Sequence, residues 1–297
     1  MKIKFKTPAK INLGLHVHGK REDGFHELET IFQMVSLYDD LELELLPSGI
    51  KLECDAPGVP VDETNLVYKA VLLLRKHYQD EGKGVSVRLK KNIPFGAGLG
   101  GGSGNAAGVL MGLNRLWNLN IEREKLAILA AELGSDVPFF LTSPCALGIG
   151  RGEKLEALKN CPKFQVLLVF PGFPIATSWV YRNLKLKLTK RENNISILRK
   201  NLSLFDITSL GSQLYNDLEP LVIQRFPEVQ LIKNELRSLG ALGVLLSGSG
   251  STVFGVFDDS EKARVACAGL SGAWKRVVVE TIESFTEFFP EEILNYP

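Results

Sequence analysis

The sequence predicts an α+β fold divided into two domains. Patterns typical of strands and of helices are interspersed along the chain, without the strict alternation that builds a parallel sheet with crossover helices. The 297 residues are 45% apolar and 23% charged, which is ordinary globular composition. A chain of this length suits two domains of medium size, and we place them at residues 1–159 and 160–297.

The chain opens with a predicted pair of strands. Apolar residues alternate with polar or small ones over residues 11–17, which is the period of a strand with one apolar face. Lys10 and Asn12 therefore share the opposite face of that strand. Asp23 and Gly24 favour a hairpin turn, because Asp-Gly suits the positive φ angles of tight turns. Further strand patterns follow at residues 28–35 and 40–46.

Helices and strands alternate irregularly through the rest of the chain. Apolar stripes of helical period predict three helices, of which the last ends at Gly134, a residue type common just beyond a helix. These helices span residues 65–77, 103–117 and 121–133, and strands are predicted at 85–91, 164–170, 242–246 and 252–257. Residues 184–201 are the most charged and least periodic part, which predicts an exposed, mobile segment.

Charge and hydropathy disfavour several classes of protein. The net charge is +1, so no extended basic surface for nucleic acid is expected. No apolar run approaches the roughly 18 residues that a membrane span needs, and the alternating start of the chain is unlike a signal peptide. Four scattered cysteines contain no Cys-x-x-Cys pair, and a chain this long needs no disulfide staples. We therefore expect a reduced cytoplasmic protein that acts on a small molecule.

A glycine-rich segment is the strongest functional signal. Its glycines let backbone N–H groups converge with no Cβ atom in the way, and the following predicted helix offers unpaired N–H groups and a favourable dipole. The segment therefore predicts a phosphate-binding loop rather than a plain connector. The predicted loop residues are Pro94, Phe95, Gly96, Ala97, Gly98, Leu99, Gly100, Gly101, Gly102, Ser103 and Gly104, with Ser103 either capping the helix or reaching a metal-bound phosphate.

Three common kinds of phosphate-binding protein do not fit this loop. The chain lacks Gly-x-x-x-x-Gly-Lys-Ser/Thr, which excludes a P-loop. Gly96, Gly98 and Gly101 satisfy Gly-x-Gly-x-x-Gly, but the next predicted element after the helix is another helix. A dinucleotide-binding fold needs a strand there, ending in an acidic residue. Protein kinases are excluded because His-Arg-Asp and Asp-Phe-Gly are both missing.

Several segments, taken in order, resemble the GHMP superfamily of galactokinase, homoserine kinase, mevalonate kinase and phosphomevalonate kinase. Residues 94–107 are similar to its ATP loop, residues 8–13 (Pro-Ala-Lys-Ile-Asn-Leu) to its N-terminal motif, and residues 246–254 to its C-terminal glycine motif. Two further segments, 23–28 (Asp-Gly-Phe-His-Glu-Leu) and 135–140 (Ser-Asp-Val-Pro-Phe-Phe), resemble the 4-diphosphocytidyl-2-C-methyl-D-erythritol kinase family. The resemblance covers nearly the whole chain.

This resemblance implies a fold and an activity. The N-terminal half is expected to resemble the second domain of ribosomal protein S5, and the C-terminal half to be ferredoxin-like, with the active site between them. The implied reaction is ATP-dependent phosphorylation of the 2-hydroxyl of 4-diphosphocytidyl-2-C-methyl-D-erythritol, in the non-mevalonate route to isoprenoids. Magnesium is expected to arrive with ATP, held mainly by the phosphates and by no metal site of the protein.

The resemblance also assigns two catalytic residues. Asp136 lies in a turn restricted by Pro138, and its local sequence alone is equally typical of a helix cap. The resemblance makes it the general base, or the group that orients the acceptor hydroxyl. Lys10 on its own is a typical solvated strand lysine, whereas the resemblance makes it the catalytic cation that stabilises developing charge.

Four residues are expected to hold the substrate. The resemblance implies a hydrogen bond from Asn12 and recognition of the cytosine edge by His26, because a neutral imidazole both donates and accepts. Phe25 and Tyr181 are expected to stack on the base from opposite sides, with ordinary core packing as the alternative for both rings.

Two departures and three alternatives accompany this interpretation. Gly104 stands where the family usually has Ser, and Phe25 where it usually has Tyr. Another GHMP kinase, acting on mevalonate, homoserine or a sugar, would not need the base-reading pair Phe25 and His26. A catalytically silent nucleotide-binding module would not need Lys10 and Asp136. A dinucleotide-dependent oxidoreductase is the most remote alternative.

Overall fold

The computed structural model describes residues 1–78, 82–184 and 194–294, and it confirms the α+β class. The strands are β1 (Lys2–Lys20), β2 (His26–Leu46), β3 (Ile50–Cys54), β4 (Gly84–Lys90), β5 (Cys145–Gly150), β6 (Lys154–Ala157), β7 (Gln165–Phe170), β8 (Tyr215–Asn216), β9 (Gly243–Leu246), β10 (Val253–Phe257) and β11 (Lys275–Glu280). The helices are α1 (Leu66–Tyr78), α2 (Gly101–Leu116), α3 (Arg123–Ala130), α4 (Phe139–Thr142), α5 (Thr177–Asn183), α6 (Asn194–Ser203), α7 (Ile207–Ser212), α8 (Glu219–Arg225), α9 (Glu228–Ser238), α10 (Ser260–Gly269) and α11 (Glu291–Leu294).

The first sheet is built around the long antiparallel hairpin of β1 and β2. Its strand order is β3-β4-β2-β1-β8, and β5 pairs with β2 and then with β6. The predicted turn is confirmed, with Gly24 at a φ of +85°. The two strands predicted at residues 28–35 and 40–46 are parts of the single strand β2. Register shifts fall just after Pro8 and Asn12, and such irregularities re-aim side chains at functional sites.

The second sheet is antiparallel, with the order β11-β7-β10-β9. Numbered along the C-terminal half alone, this is the 4-1-3-2 arrangement of a ferredoxin-like sheet, as expected. Its apolar strands pack against α9 and α10 through buried residues such as Ile232 and Ala263. The short strand β8 pairs in parallel with β1, at Gly14 and Leu15. One core cluster joins Ile11 of β1 to Phe254 of β10. The domain division at residue 159 stays a prediction.

A stripe of glycines lets α2 pack closely against β1. A Cβ atom on Gly104 would lie 2.9 Å from the carbonyl oxygen of Pro8, and one on Gly108 would lie 2.5 Å from Cγ2 of Thr7. Gly112, one turn further on, faces Leu43 and Phe5 in the same way. Because these residues lie four apart, they share one face of the helix. The stripe therefore fixes the distance between the start of α2 and β1.

Several predicted boundaries need correction. α2 begins at Gly101, two residues before Ser103, and the helix predicted over residues 121–133 forms regular structure only over Arg123–Ala130. Residues 185–193 of the charged segment lie outside the described part of the chain. The prediction of an exposed segment is wrong for its last part, because α6 buries Ile195, Leu198 and Leu202. Within the described residues, no helix combines the length and apolar character that a membrane crossing requires.

Candidate active site

One cavity, of about 820 Å³, collects almost all of the predicted site residues. Its wall contains Lys10, Asn12, Phe25, His26, Asp136 and Tyr181, together with Pro94, Phe95, Gly96, Ala97, Gly98, Leu99, Gly100, Gly101, Gly102 and Ser103. Gly104 does not reach this wall, since it lies one turn into α2, against the backbone of Pro8. A Cβ atom at position 104 would meet the carbonyl oxygen of Pro8 and the ring of Phe140.

The glycine loop alternates between flexible and anchored residues. Gly96, Gly98 and Gly100 have φ angles of +66°, +78° and +68°, a region that side-chain-bearing residues rarely adopt. Ala97 and Leu99, between them, are buried. The loop is thus held in the core by two apolar side chains while its glycines shape the backbone that faces the cavity.

The loop ends at the start of α2, where Gly100 is the residue before the first turn. No side chain caps this helix, so the suggested cap by Ser103 is wrong. Ser103 is instead the third residue of the helix, on the cavity wall. The first N–H groups of a helix have no partner within the helix and attract anions. This arrangement suits a phosphate group of a nucleotide.

The C-terminal glycine motif reaches across to the loop. The Ser247 hydroxyl donates to the carbonyl of Gly98 at 3.0 Å, and the Thr252 amide donates to the carbonyl of Ala97 at 3.1 Å. A Cβ atom on Gly98 would collide with the carbonyl oxygen of Ser247. Gly248 has a φ of +55°, and a Cβ atom on it would lie 3.3 Å from Nζ of Lys10. The two glycine segments therefore close on one lysine.

Lys10 is buried at the centre of this arrangement, with 4% of its side chain exposed. The solvated-lysine alternative is therefore wrong. Its backbone amide donates to the Leu99 carbonyl at 2.9 Å, which ties β1 to the loop. Its ammonium donates to Oδ1 of Asn12 at 2.7 Å and lies 3.5 Å from Oδ2 of Asp136. A Cβ atom on Gly100 would come within 2.9 Å of the lysine chain, so Gly100 makes room for Lys10.

Asp136 opens onto the cavity from the turn before α4. The residue before that helix is Pro138, and no side chain caps its N-terminus, which contradicts the capping alternative for Asp136. Its side chain is 36% exposed, and its contact is with Lys10. A carboxylate beside a buried ammonium, facing a phosphate-binding loop, can accept a proton from an alcohol whose oxygen attacks phosphorus.

Asn12 is engaged on both ends of its amide. Oδ1 accepts from Lys10, and Nδ2 donates to Oγ1 of Thr30 at 2.8 Å. The Thr30 hydroxyl in turn donates to the carbonyl of Gly14 at 2.6 Å. This chain of hydrogen bonds orients Lys10 toward Asp136. A direct bond from Asn12 to substrate stays a prediction.

The far end of the cavity is aromatic. The rings of His26 and Tyr181 lie 5.1 Å apart at 34°. Phe25 is 51% exposed, so its core-packing alternative is wrong, and the guanidinium carbon of Arg151 lies 4.7 Å from its ring centre. An exposed ring facing a cavity is available for stacking.

Electrostatics at this end favour neutral hydrogen-bonding groups. Burial, assisted by the charge of Lys20, lowers the pKa of His26 below its ordinary value of 6.5, so the imidazole is neutral at physiological pH. Burial and then the charge of Asp136 raise the pKa of Tyr181, which therefore keeps its phenol proton. A neutral imidazole can both donate and accept, which suits the edge of a pyrimidine.

Comparisons with known proteins agree with this geometry. The model of the GHMP kinases N terminal domain matches residues 65–143, and that of the GHMP kinases C terminal matches residues 198–276. A 4-diphosphocytidyl-2-C-methyl-D-erythritol kinase of Geobacter sp. (strain M21) is 44% identical over 284 residues, covering 95% of this chain and 99% of the relative. This chain belongs to the 4-diphosphocytidyl-2-C-methyl-D-erythritol kinase family of GHMP kinases. It is an ATP-dependent small-molecule kinase.

Solved structures extend the similarity to the whole fold of this GHMP kinase. A crystal structure of 4-(cytidine 5'-diphospho)-2C-methyl-D-erythritol kinase superposes with a TM-score of 0.81 at 36% identity, covering 95% of this chain and 100% of that one. A homoserine kinase from Cytophaga hutchinsonii superposes with a TM-score of 0.77 at 21% identity, covering 95% of each chain. The second comparison shows the shared fold alone.

The structure also places residues in the cavity wall of this GHMP kinase that the sequence analysis missed. Thr177 and Ser249 face each other, with their hydroxyl oxygens 2.9 Å apart. Ser249 had a signal, since it belongs to the C-terminal glycine motif, but nothing in the sequence around Thr177 marked it. Lys91, Arg151 and Thr30 also line the cavity. The tertiary fold brings each of these three residues to the cavity, and no local sequence motif marks any of them.

Proposed function

We propose that this GHMP kinase transfers the γ-phosphoryl group of ATP to the 2-hydroxyl of 4-diphosphocytidyl-2-C-methyl-D-erythritol. One observation carries the proposal: the Lys10–Asp136 pair shares a single cavity with the glycine loop and with the aromatic end formed by Phe25, His26 and Tyr181. A substrate with a cytosine base at one end and an alcohol at the other fits this layout. The named substrate of the relatives supports the same assignment.

The proposed catalytic step uses Asp136 and Lys10. Asp136 takes the proton of the 2-hydroxyl as that oxygen bonds to the γ-phosphorus. The bond between this phosphorus and the β–γ bridging oxygen breaks, and ADP leaves. The ammonium of Lys10, 3.5 Å from the Asp136 carboxylate, stabilises the negative charge that builds up around the transferring group. Asn12 and Thr30 keep that ammonium in place.

The glycine loop is the proposed ATP site. The backbone of Gly96, Gly98 and Gly100 lines the cavity, and Cβ atoms at these positions would collide with Pro174, Ser247 and Lys10. The first turn of α2 adds N–H groups that have no partner within the helix. Phosphate oxygens would accept from these N–H groups. In this proposal, backbone N–H groups bind the phosphates of ATP, and no P-loop lysine takes part.

Magnesium fits this site as a companion of the nucleotide. Among the described residues, no group of three His, Cys, Asp or Glu side chains is arranged to hold a metal ion. The ion would be held mainly by phosphate oxygens and water, as Mg²⁺ prefers, with the Ser103 hydroxyl and Asp136 as the neighbouring oxygen groups on the cavity wall. When bound, it neutralises phosphate charge.

The substrate is tested by measuring ADP release with ATP and each of four acceptors: the cytidyl substrate, mevalonate, homoserine and galactose. We expect turnover with the cytidyl substrate alone. The variant His26→Ala should weaken that substrate by about 1–3 kcal/mol, the usual cost of an unpaired polar group in a site, while the KM for ATP stays constant. Turnover with another acceptor, or with none, would reject the proposed substrate. Equal losses for both ligands would mean that His26 supports the fold.

A further inference from the structure

A buried ion pair lies directly behind the glycine loop. The ammonium of Lys91 contacts Oδ2 of Asp39, and these side chains are 6% and 0% exposed. Lys91 also donates to Oδ1 of Asn105, on α2, at 3.1 Å. Buried charges are costly unless they are paired and fully hydrogen-bonded. Neither charge takes part in the proposed chemistry, so their place beside the loop needs another explanation.

Asp39 holds both ends of the loop. Its Oδ1 accepts from the backbone amides of Asn92 and Ile93, at 2.7 and 2.9 Å, just before the loop begins. Its Oδ2 accepts from Nδ2 of Asn105, at 3.0 Å, just after the loop has entered α2. One carboxylate on β2 therefore connects the entry and the exit of residues 94–104. A loop with this many glycines has little stiffness of its own.

Lys91 lies where the first turn of α2 begins. A Cβ atom on Gly101 would come within 3.1 Å of its Nζ, and Lys91 forms part of the cavity wall. The absence of a side chain at Gly101 therefore makes room for the ammonium. The carboxylate of Asp39 near a site for anionic phosphates would repel them, and the positive charge of Lys91 cancels this effect at short range.

We propose that Asp39, Lys91 and Asn105 are positioning residues for ATP, in which the carboxylate fixes the glycine loop and the ammonium neutralises that carboxylate. This inference rests on the proposed placement of ATP on the loop. A purely structural role would affect both ligands alike. The proposed role requires that the loss of Lys91 weakens the binding of ATP more than the binding of the acceptor.

The test measures ATP binding by calorimetry, in buffer containing magnesium, together with the KM values for ATP and for the cytidyl acceptor. Lys91→Met should weaken ATP about 10- to 100-fold, the range for a lost hydrogen bond to a charged group, and should leave the acceptor KM within about twofold. The double variant Asp39→Asn/Lys91→Met removes both charges and should bind ATP more tightly than Lys91→Met alone.

α2 offers a matched control. Asn105 and Asn114 are both buried asparagines of this helix, but Asn114 bonds the backbone of Ile121, away from the cavity. Asn105→Ala should weaken ATP, whereas Asn114→Ala should lower only the unfolding temperature. Unchanged ATP binding in Lys91→Met, equal effects of the two asparagine variants, or no gain in the double variant would overturn the inference. Because calorimetry needs no acceptor, failure of the acceptor assay in the parent protein would reject the proposed substrate and not this inference.

Discussion

We predict that replacing Lys10 by Met lowers turnover and leaves the stability of the fold nearly unchanged. Coulomb's law gives an attraction of about 5 kcal/mol for unit charges 3.5 Å apart at an effective dielectric constant of about 20, and about 1 kcal/mol in water. Asp136 is about one-third exposed, so solvent screens part of the interaction and the lower half of this range applies. A similar separation between Lys10 and the transferring phosphoryl group would give the same range in the transition state, so the expected loss in turnover is about 10- to 100-fold.

Stability should change little in the same variant. The buried ammonium of Lys10 carries a desolvation penalty that its removal relieves, and the carboxylate of Asp136, which is about one-third exposed, can be solvated by water once it is unpaired. The change also leaves Oδ1 of the buried Asn12 without its donor, which costs about 1–3 kcal/mol. These effects oppose each other, so the unfolding temperature should stay close to that of the parent protein while turnover falls.

The assay is ADP release at saturating ATP and acceptor, combined with thermal unfolding, for Lys10→Met, Asp136→Asn and the double variant. Asp136→Asn cannot accept a proton, and general-base assistance is typically worth about 10²–10⁴ in rate. Since the losses from residues that act as a unit are not additive, the double variant should lose much less than the product of the single losses. Near-normal turnover of Asp136→Asn with a lower unfolding temperature would refute the catalytic assignment and leave Asp136 as a structural residue.

Three further predictions concern the base, the loop and the helix. As the pH falls through the lowered pKa of His26, the imidazole gains a proton and can no longer accept a hydrogen bond. The KM for the cytidyl substrate should therefore rise toward acid pH, while the KM for ATP stays constant. The variant His26→Asn should remove this pH dependence. Gly100→Val should abolish ATP binding measured by calorimetry, because the backbone at position 100 has a φ of +68° and a Cβ atom there would lie 2.9 Å from the Lys10 side chain. Tight ATP binding by a folded variant would contradict this prediction. Gly108→Val should lower the free energy of unfolding by roughly 1–3 kcal/mol, as overpacking usually does, because Thr7 and Phe5 fill the space beside Gly108. A denaturation midpoint equal to that of the parent would contradict this prediction.

Local motifs made the residues of the candidate site predictable, whereas the residues that support them come together only through tertiary pairing. The glycine loop, Lys10 and Asp136 each lie in a short segment whose pattern has a physical meaning or a family match. Asp39 and Lys91 are 52 residues apart in the chain and meet only because β2 and β4 are neighbours in one sheet. No property of either segment alone marks that pairing. Thr30 supports Asn12 across the β1–β2 ladder for the same reason.

The fold was less predictable where charge conceals an apolar stripe. Ile195, Leu198 and Leu202 of α6 are spaced for one helix face, but lysine, arginine and asparagine surround them in the sequence. The helix packs on β1 at Gly14, where a Cβ atom would lie 2.5 Å from Leu198. The absence of a side chain at Gly14 leaves room for the apolar face of α6. Neither Gly14 nor the apolar residues of α6 predicts this contact when its own segment is considered alone.

The two glycine segments are supported by the same physical device. Asp39, paired with Lys91, accepts the amides of residues 92 and 93 before the first segment. The carboxylate of Glu219, which is paired with the buried Lys233, accepts a hydrogen bond at 2.8 Å from the backbone amide of Leu246, the first residue of the second segment. A carboxylate is well suited to this task, because charge-assisted bonds to N–H groups are stronger than neutral ones. Its lysine partner keeps the buried charge balanced.

This arrangement follows from what the two segments must do. Glycine supplies backbone that can closely approach Lys10 and, in the proposed function, the phosphates of ATP, but it also has the most conformational freedom of any residue. Catalysis needs the opposite, since donors displaced by even about 1 Å lose much of their effect. Two carboxylates, that of the buried Asp39 and that of the partly exposed Glu219, each bond the backbone at the entrance of a segment and restore rigidity, and neither side chain lines the cavity. The two segments then meet at Gly98 and Ser247 and enclose Lys10 from both sides.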